Sequence, residues 1–96
     1  FYSESADNSI ITNNIFSGHD SSGIYIKFGG YNNRFTNNTI KNNSLHGIEF
    51  NNGDSNIFLQ NDIRNNVAYS IYMLDTDRGN MFARNNIKID VLSRFV

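Results

Sequence analysis

Asparagine returns at a near-constant interval along this chain, and that interval limits the folds open to it. Asn8, Asn33, Asn56 and Asn80 lead four segments, near 8–32, 33–55, 56–79 and 80–96, with leading residues 25, 23 and 24 positions apart. Two positions on stand Ile10, Phe35, Phe58 and Phe82; five on, a second asparagine column of Asn13, Asn38, Asn61 and Asn85; seven on, Ile15, Ile40, Ile63 and Ile87. Ile24, Ile48, Ile71 and Phe95 close the pattern, and Gly23 and Gly47 directly precede the first two. A repeat of this length is one supersecondary unit, which buries its apolar face only against the units before and after it.

Within a unit, three short stretches alternate apolar and polar residues, the period of a half-buried strand. In the second unit these are 33–36, 39–41 and 47–50, separated by Asn-Asn pairs. Equivalent residues recur only after three strands, so stacking whole units puts like on like. The expected fold is therefore all-β: a parallel β-solenoid of about four coils of 23–25 residues, with three short strands per coil and like residues laddered at about 4.8 Å. Ile26, Phe50 and Met73 form a further inward column. Asparagine suits the bends because it enters the left-handed region cheaply, and a buried amide can bond to the next coil and to the turn backbone. Asn13, Asn38, Asn61 and Asn85 are the expected inward ladder.

Eighteen of the 96 residues are Asn, and no long window combines helical spacing with good helix formers, so almost no helix is expected. A net charge of −1 supplies no basic field for nucleic acid. No apolar run approaches the roughly 20 residues that span a bilayer. Without cysteine there is neither a disulfide framework nor a thiolate metal site. No cofactor motif is visible, and the glycine-rich calcium-binding nonapeptide is absent. Asp54, Asp75 and Asp77 read as turn residues rather than metal ligands. Asn37-Asn38-Thr39 and Asn42-Asn43-Ser44 match the glycosylation acceptor pattern, which an asparagine-rich chain produces by chance.

The pattern Asn-x-Ile/Phe-x-x-Asn-x-Ile-x-Asn-Asn followed by Gly-Ile-x-Ile/Phe resembles the right-handed parallel β-helix repeat family. Its members include periplasmic copper-insertion accessory proteins, mannuronan C5-epimerases, polysaccharide lyases and surface proteins. The resemblance implies right-handed winding, in keeping with the general hand of parallel crossovers. One scaffold hosts many activities, so it does not select a function. Phe1 aligns with Ile26, Phe50 and Met73, and Phe95 with Ile24, Ile48 and Ile71, so both ends fall inside a strand. The expectation is one β-helix segment, 1–96, of a longer solenoid, met by adjoining coils or by end-to-end copies of itself.

Two outward surfaces carry candidate chemistry. Phe16, Lys41, Arg64 and Lys88 share a column, so three cations stand in a row that an acidic polysaccharide would relieve of repulsion; the plain alternative is a solvated face, with Arg64 paired to Asp62. On the third strands, Tyr25, Glu49 and Tyr72 share a column beside Lys27, Asn51 and Leu74–Asp75. Rings beside hydrogen-bonding groups suit a sugar, and cross-strand packing of tyrosines is the alternative. His46 precedes Gly47, Tyr69 occupies the same place one coil on, and His19 and Asp20 lie in the matching loop. A uronate epimerase or lyase needs a base, a proton donor and a cation on the carboxylate. His46 as base, Tyr69 or Tyr72 as donor and Lys41 or Arg64 as cation would make such a set. The epimerases' Asp-Pro-His motif is missing, since the chain has no proline. The expected role is a carbohydrate-binding or structural module of an extracellular, cell-surface or periplasmic protein. An epimerase or lyase scaffold and a self-assembling element are the alternatives.

Overall fold

The computed structural model describes residues 1–27, 30–74 and 79–88, together with the backbone of 94–95. Its strands form three parallel sheets. Sheet A holds β1 (Tyr2–Ser3), β4 (Ile24–Lys27), β7 (Ile48–Asn51), β10 (Tyr69–Leu74) and β13 (Arg94–Phe95). Sheet B holds β2 (Ile10–Thr12), β5 (Arg34–Thr36), β8 (Ile57–Leu59) and β11 (Met81–Ala83). Sheet C holds β3 (Ile15–Ser17), β6 (Thr39–Lys41), β9 (Asp62–Arg64) and β12 (Asn86–Ile87). Each strand pairs with the strand three places on, as a solenoid with three strands per coil requires, and no helix occurs among the described residues.

The interior is a set of ladders. Phe35 and Phe58 stack with ring centroids 4.5 Å apart at 1°, and Phe82 continues the stack 5.0 Å from Phe58. Phe50 meets Phe58 edge-on at 5.3 Å. Ile40 lies over Ile63, and Ile24, Ile48 and Ile71 form the column of sheet A, all of them fully buried. Phe95 is registered with Ile71, as expected.

Past the first coil, the described corners are built the same way: a residue at positive φ, then a residue in an inward ladder. The positive-φ columns are Asn8, Asn32, Ser55 and Gly79; Asn13, Asn37, Gln60 and Arg84; and Gly18, Asn42 and Asn65. Asparagine dominates because its short amide tolerates the left-handed region. From the second coil on, the next residue enters a ladder; in the first coil Ser9, Asn14 and His19 take these places and donate only their backbone N–H groups to the ladder amides of Asn33, Asn38 and Asn43. Asn61 shows the chemistry: its Oδ1 accepts from the backbone N–H of Asn38 at 2.9 Å, and its Nδ2 donates to the Phe35 carbonyl at 3.0 Å and to Asn85 Oδ1 at 3.1 Å. Each amide thus replaces the backbone partner that a bending chain loses between sheets.

In the first coil the structure departs from the expected register by one residue. Ile11, not Ile10, pairs with Phe35, and Phe16, not Ile15, pairs with Ile40. Ile10 and Ile15 face outward, 74% and 69% exposed. Asn13 is correspondingly not a ladder residue. It sits exposed at φ 60, and it is the N–H of Asn14 that donates to Asn38 Oδ1 at 2.9 Å. Phe1 also moves by two places: Tyr2 pairs with Tyr25, which puts Phe1 in line with Ile24 rather than Ile26. Its ring packs edge-on to Phe16 and Phe35. Met73 keeps its register with Phe50 but is 36% exposed.

Two further ladders complete the corners. Asn33, Asn56 and Asn80 form one, with Asn33 Oδ1 accepting from the Ser9 N–H at 3.0 Å. Asn43 and Asn66 form the other, with Asn43 Oδ1 accepting from the His19 N–H at 3.2 Å. Beside this third corner the chain needs glycine: a Cβ on Gly47 would lie 2.6 Å from the Ser70 carbonyl oxygen and 2.8 Å from Asn66 Nδ2.

Candidate functional site

Sheet A sets Tyr25, Glu49 and Tyr72 side by side on its outer surface, because β4, β7 and β10 pair these residues directly. Tyr2 extends the column, its ring edge-on to Tyr25 at 5.4 Å. Lys27, Asn51 and Leu74 form the neighbouring outer column, as expected. Burial raises the Tyr25 phenol pKa and the Glu49 charge adds to this, while a hydrogen bond with Asn51 pulls it back.

The expected acid–base candidates join this column. His46 stacks on Tyr72 with centroids 4.4 Å apart at 6°, and on Tyr69 at 5.4 Å and 19°; the two tyrosine rings are themselves 5.4 Å apart. One face of Tyr72 is therefore covered by imidazole, and a sugar would meet its edge and hydroxyl more than an open ring. His46 Nδ1 accepts the backbone N–H of Tyr69 at 3.2 Å. A neutral ring bonded in this way carries its proton on Nε2. Nε2 stands 4.0 Å from Glu49 Oε1, beyond a direct hydrogen bond.

Ser22, which the sequence reading did not single out, ties the cluster together. Its hydroxyl donates to Glu49 Oε1 at 2.8 Å and its Oγ accepts the His46 N–H at 3.3 Å. Ser22, His46 and Glu49 are all buried, at 6%, 7% and 8% exposure. In this arrangement His46 carries a proton on Nε2 that it can donate, while its Nδ1 is occupied by the Tyr69 backbone N–H. A cleft of about 250 Å³ adjoins Ser22 and Tyr25, its other walls being Phe1, Tyr2, His19, Asp20 and Ser21.

The cations stand elsewhere. Lys41 and Arg64 pair in register on sheet C, and Lys88 lies just past the end of β12, after Ile87. Ser17, not Phe16, is their first-coil neighbour. Arg64 Nε lies 3.4 Å from Asp62 Oδ2, so an acid in the neighbouring column pairs with the middle cation of the row. The structure unites His46, Tyr69, Tyr72, Glu49 and Tyr25 and leaves Lys41, Arg64 and Lys88 on a separate sheet. Asp75 and Asp77 lie outside the described residues; among those described, no group of His, Cys, Asp and Glu could hold a metal ion. No helix is long and apolar enough to cross a membrane among the described residues.

Burial lowers the His46 pKa below its ordinary value, and the Glu49 charge opposes this only in part. The unfolded chain therefore binds this proton more readily than the folded one, so the associated stability is present above the unfolded value of about 6.5. It is lost as pH falls through the lower folded value. A second proton must also go to Nδ1, where it faces the Tyr69 N–H, donor against donor. The thermal midpoint is expected to fall between about pH 7 and pH 5, above the range of ordinary carboxylates, and His46→Gln should flatten that decline. Parallel curves for wild type and variant would remove His46 from the explanation.

Three parallel sheets wound about one apolar interior, with amide ladders at the corners, define a parallel β-helix. The model of the right-handed β-helix region family matches residues 1–87, and the chain belongs to that family. No curated protein and no solved structure matches it.

Proposed function

We propose that this chain forms a structural β-helix module that binds carbohydrate across the outer surface of sheet A. The observation that carries this reading is the registered column of Tyr25, Glu49 and Tyr72, joined at its edge by His46 and Tyr69. It supplies ring surface, phenol hydroxyls, a carboxylate acceptor and an imidazole N–H donor within a few ångströms, the mixture that orients a sugar's hydroxyls and apolar faces. A rigid sheet holds them at the coil spacing, so an extended glycan can lie along the helix axis. The setting that fits is the cell surface, periplasm or extracellular space, where polysaccharide is met.

A second reading keeps acidic polysaccharide on sheet C, favoured by the direct pairing of Lys41 with Arg64. One set of titrations separates the two. A cello-oligosaccharide is expected to bind the wild type with little salt dependence and to be lost in Tyr25→Ala/Tyr72→Ala. Alginate or pectate bound at sheet C would weaken as salt shortens the screening length to about 8–10 Å, and would be lost when Lys41, Arg64 and Lys88 become Gln. If no glycan of either kind binds at low salt, the module has a structural role alone.

A further inference from the structure

The charge of the sheet A column is one-sided. Glu49 is a carboxylate at 8% exposure whose partners are the Ser22 hydroxyl at 2.8 Å and an imidazole Nε2 at 4.0 Å. Withdrawing a carboxylate from water is costly unless a cation or several donors compensate it. His46 cannot supply the cation near neutral pH: its Nδ1 is taken by the Tyr69 N–H, and burial disfavours its charged form. The one basic residue in the two described outer columns is Lys27, in the column beside that of Glu49 and registered with Asn51. Tyr25 and Tyr72 flank Glu49 in register. Phenols on either side of a carboxylate suit an ammonium group: hydroxyl oxygens that accept its N–H bonds and a counter-charge before it.

Resting on the carbohydrate reading above, we infer that the sheet A surface selects amino sugars carrying a free ammonium group, as in a deacetylated glucosamine polymer, over neutral and N-acetylated sugars. The ammonium approaches Glu49 between Tyr25 and Tyr72, and the neighbouring hydroxyls meet Ser22, His46 Nε2 and the phenols. Uronates are disfavoured here because their carboxylates would meet Glu49, like charge against like.

The test is calorimetric titration of the chain, slightly below neutral pH, with glucosamine hexamer, its fully N-acetylated counterpart, cellohexaose and hexalysine. The glucosamine hexamer is expected to bind about tenfold tighter than the acetylated or neutral chain, the size of one charge-assisted contact. Glu49→Gln should bring these ligands to similar affinities, with sheet content checked by circular dichroism; if that variant does not fold, the wild-type comparison decides alone. Equal wild-type affinity for free and acetylated hexamers would overturn the ammonium assignment while leaving the carbohydrate reading standing. Tighter binding of hexalysine would overturn the sugar assignment in favour of a cationic peptide. No binding by any of the four would overturn both readings.

Discussion

Phe58→Ala is expected to lower unfolding stability by about 3–5 kcal/mol, the range for removing a fully buried aromatic ring. Phe58 has no exposed surface and is the centre of the aromatic interior: it stacks on Phe35 at 4.5 Å and on Phe82 at 5.0 Å, and takes the edge of Phe50 at 5.3 Å. The solenoid cannot collapse around the missing ring, because its sheets are held at a fixed rise by backbone bonds between coils. A domain of this size has about 5–15 kcal/mol in hand, so the variant should unfold at a markedly lower denaturant concentration. Phe82→Ala, at the half-buried end of the stack, should lose clearly less. Urea denaturation of both variants checks this, and similar losses would show that the stack is not centred on Phe58.

The second large effect belongs to the corners. Asn61→Leu leaves the Asn38 N–H and the Phe35 carbonyl without their partners in a site of 1% exposure, and takes one donor from Asn85 Oδ1. Each orphaned buried group costs about 1–3 kcal/mol, so with two of them a loss of about 2–6 kcal/mol is expected. Asn65→Leu changes an exposed residue at φ 55. It should lose only the left-handed penalty of about 1–2 kcal/mol; Gln60 and Arg84 at an equivalent corner show that long side chains are accommodated there. Matching denaturation midpoints for the two leucine variants would mean that the inward amide is not what holds the bend.

The period, the parallel stacking and the inward phenylalanines are legible in the sequence because they rest on residues that differ sharply in polarity. The first coil is not, for a physical reason. Each bend uses two consecutive residues with different tasks, one at positive φ and one whose backbone or amide meets the ladder, and asparagine serves in both. Where Asn13 and Asn14 stand together, residue type cannot say which takes the positive φ and which aligns with Asn38. Choosing Asn13 shifted Ile10 and Ile15 into an interior that Ile11 and Phe16 occupy. The spacing held a signal: Gly23 and Gly47 are 24 apart, as are Asn14 and Asn38, while Asn8 and Asn33 are 25 apart.

The site was legible only as columns. Tyr25, Glu49 and Tyr72 follow from period-2 alternation, and the structure places them together. Ser22 and the use of His46 Nδ1 depend on how the loops before β4, β7 and β10 stack on one another, with side chains standing in for backbone acceptors. Nothing in residue type signals that a histidine ring will replace a carbonyl.

In the proposed function the ligand is met by sheet A, not sheet C. Amide chemical-shift mapping with cellohexaose and then with glucosamine hexamer tests it most directly. Perturbations are predicted to cluster at Ser22, Tyr25, His46, Glu49, Tyr69 and Tyr72 and to spare Lys41, Arg64 and Lys88. Shifts confined to the Lys41–Arg64 pair and Lys88, or no shifts at saturating sugar, would contradict it.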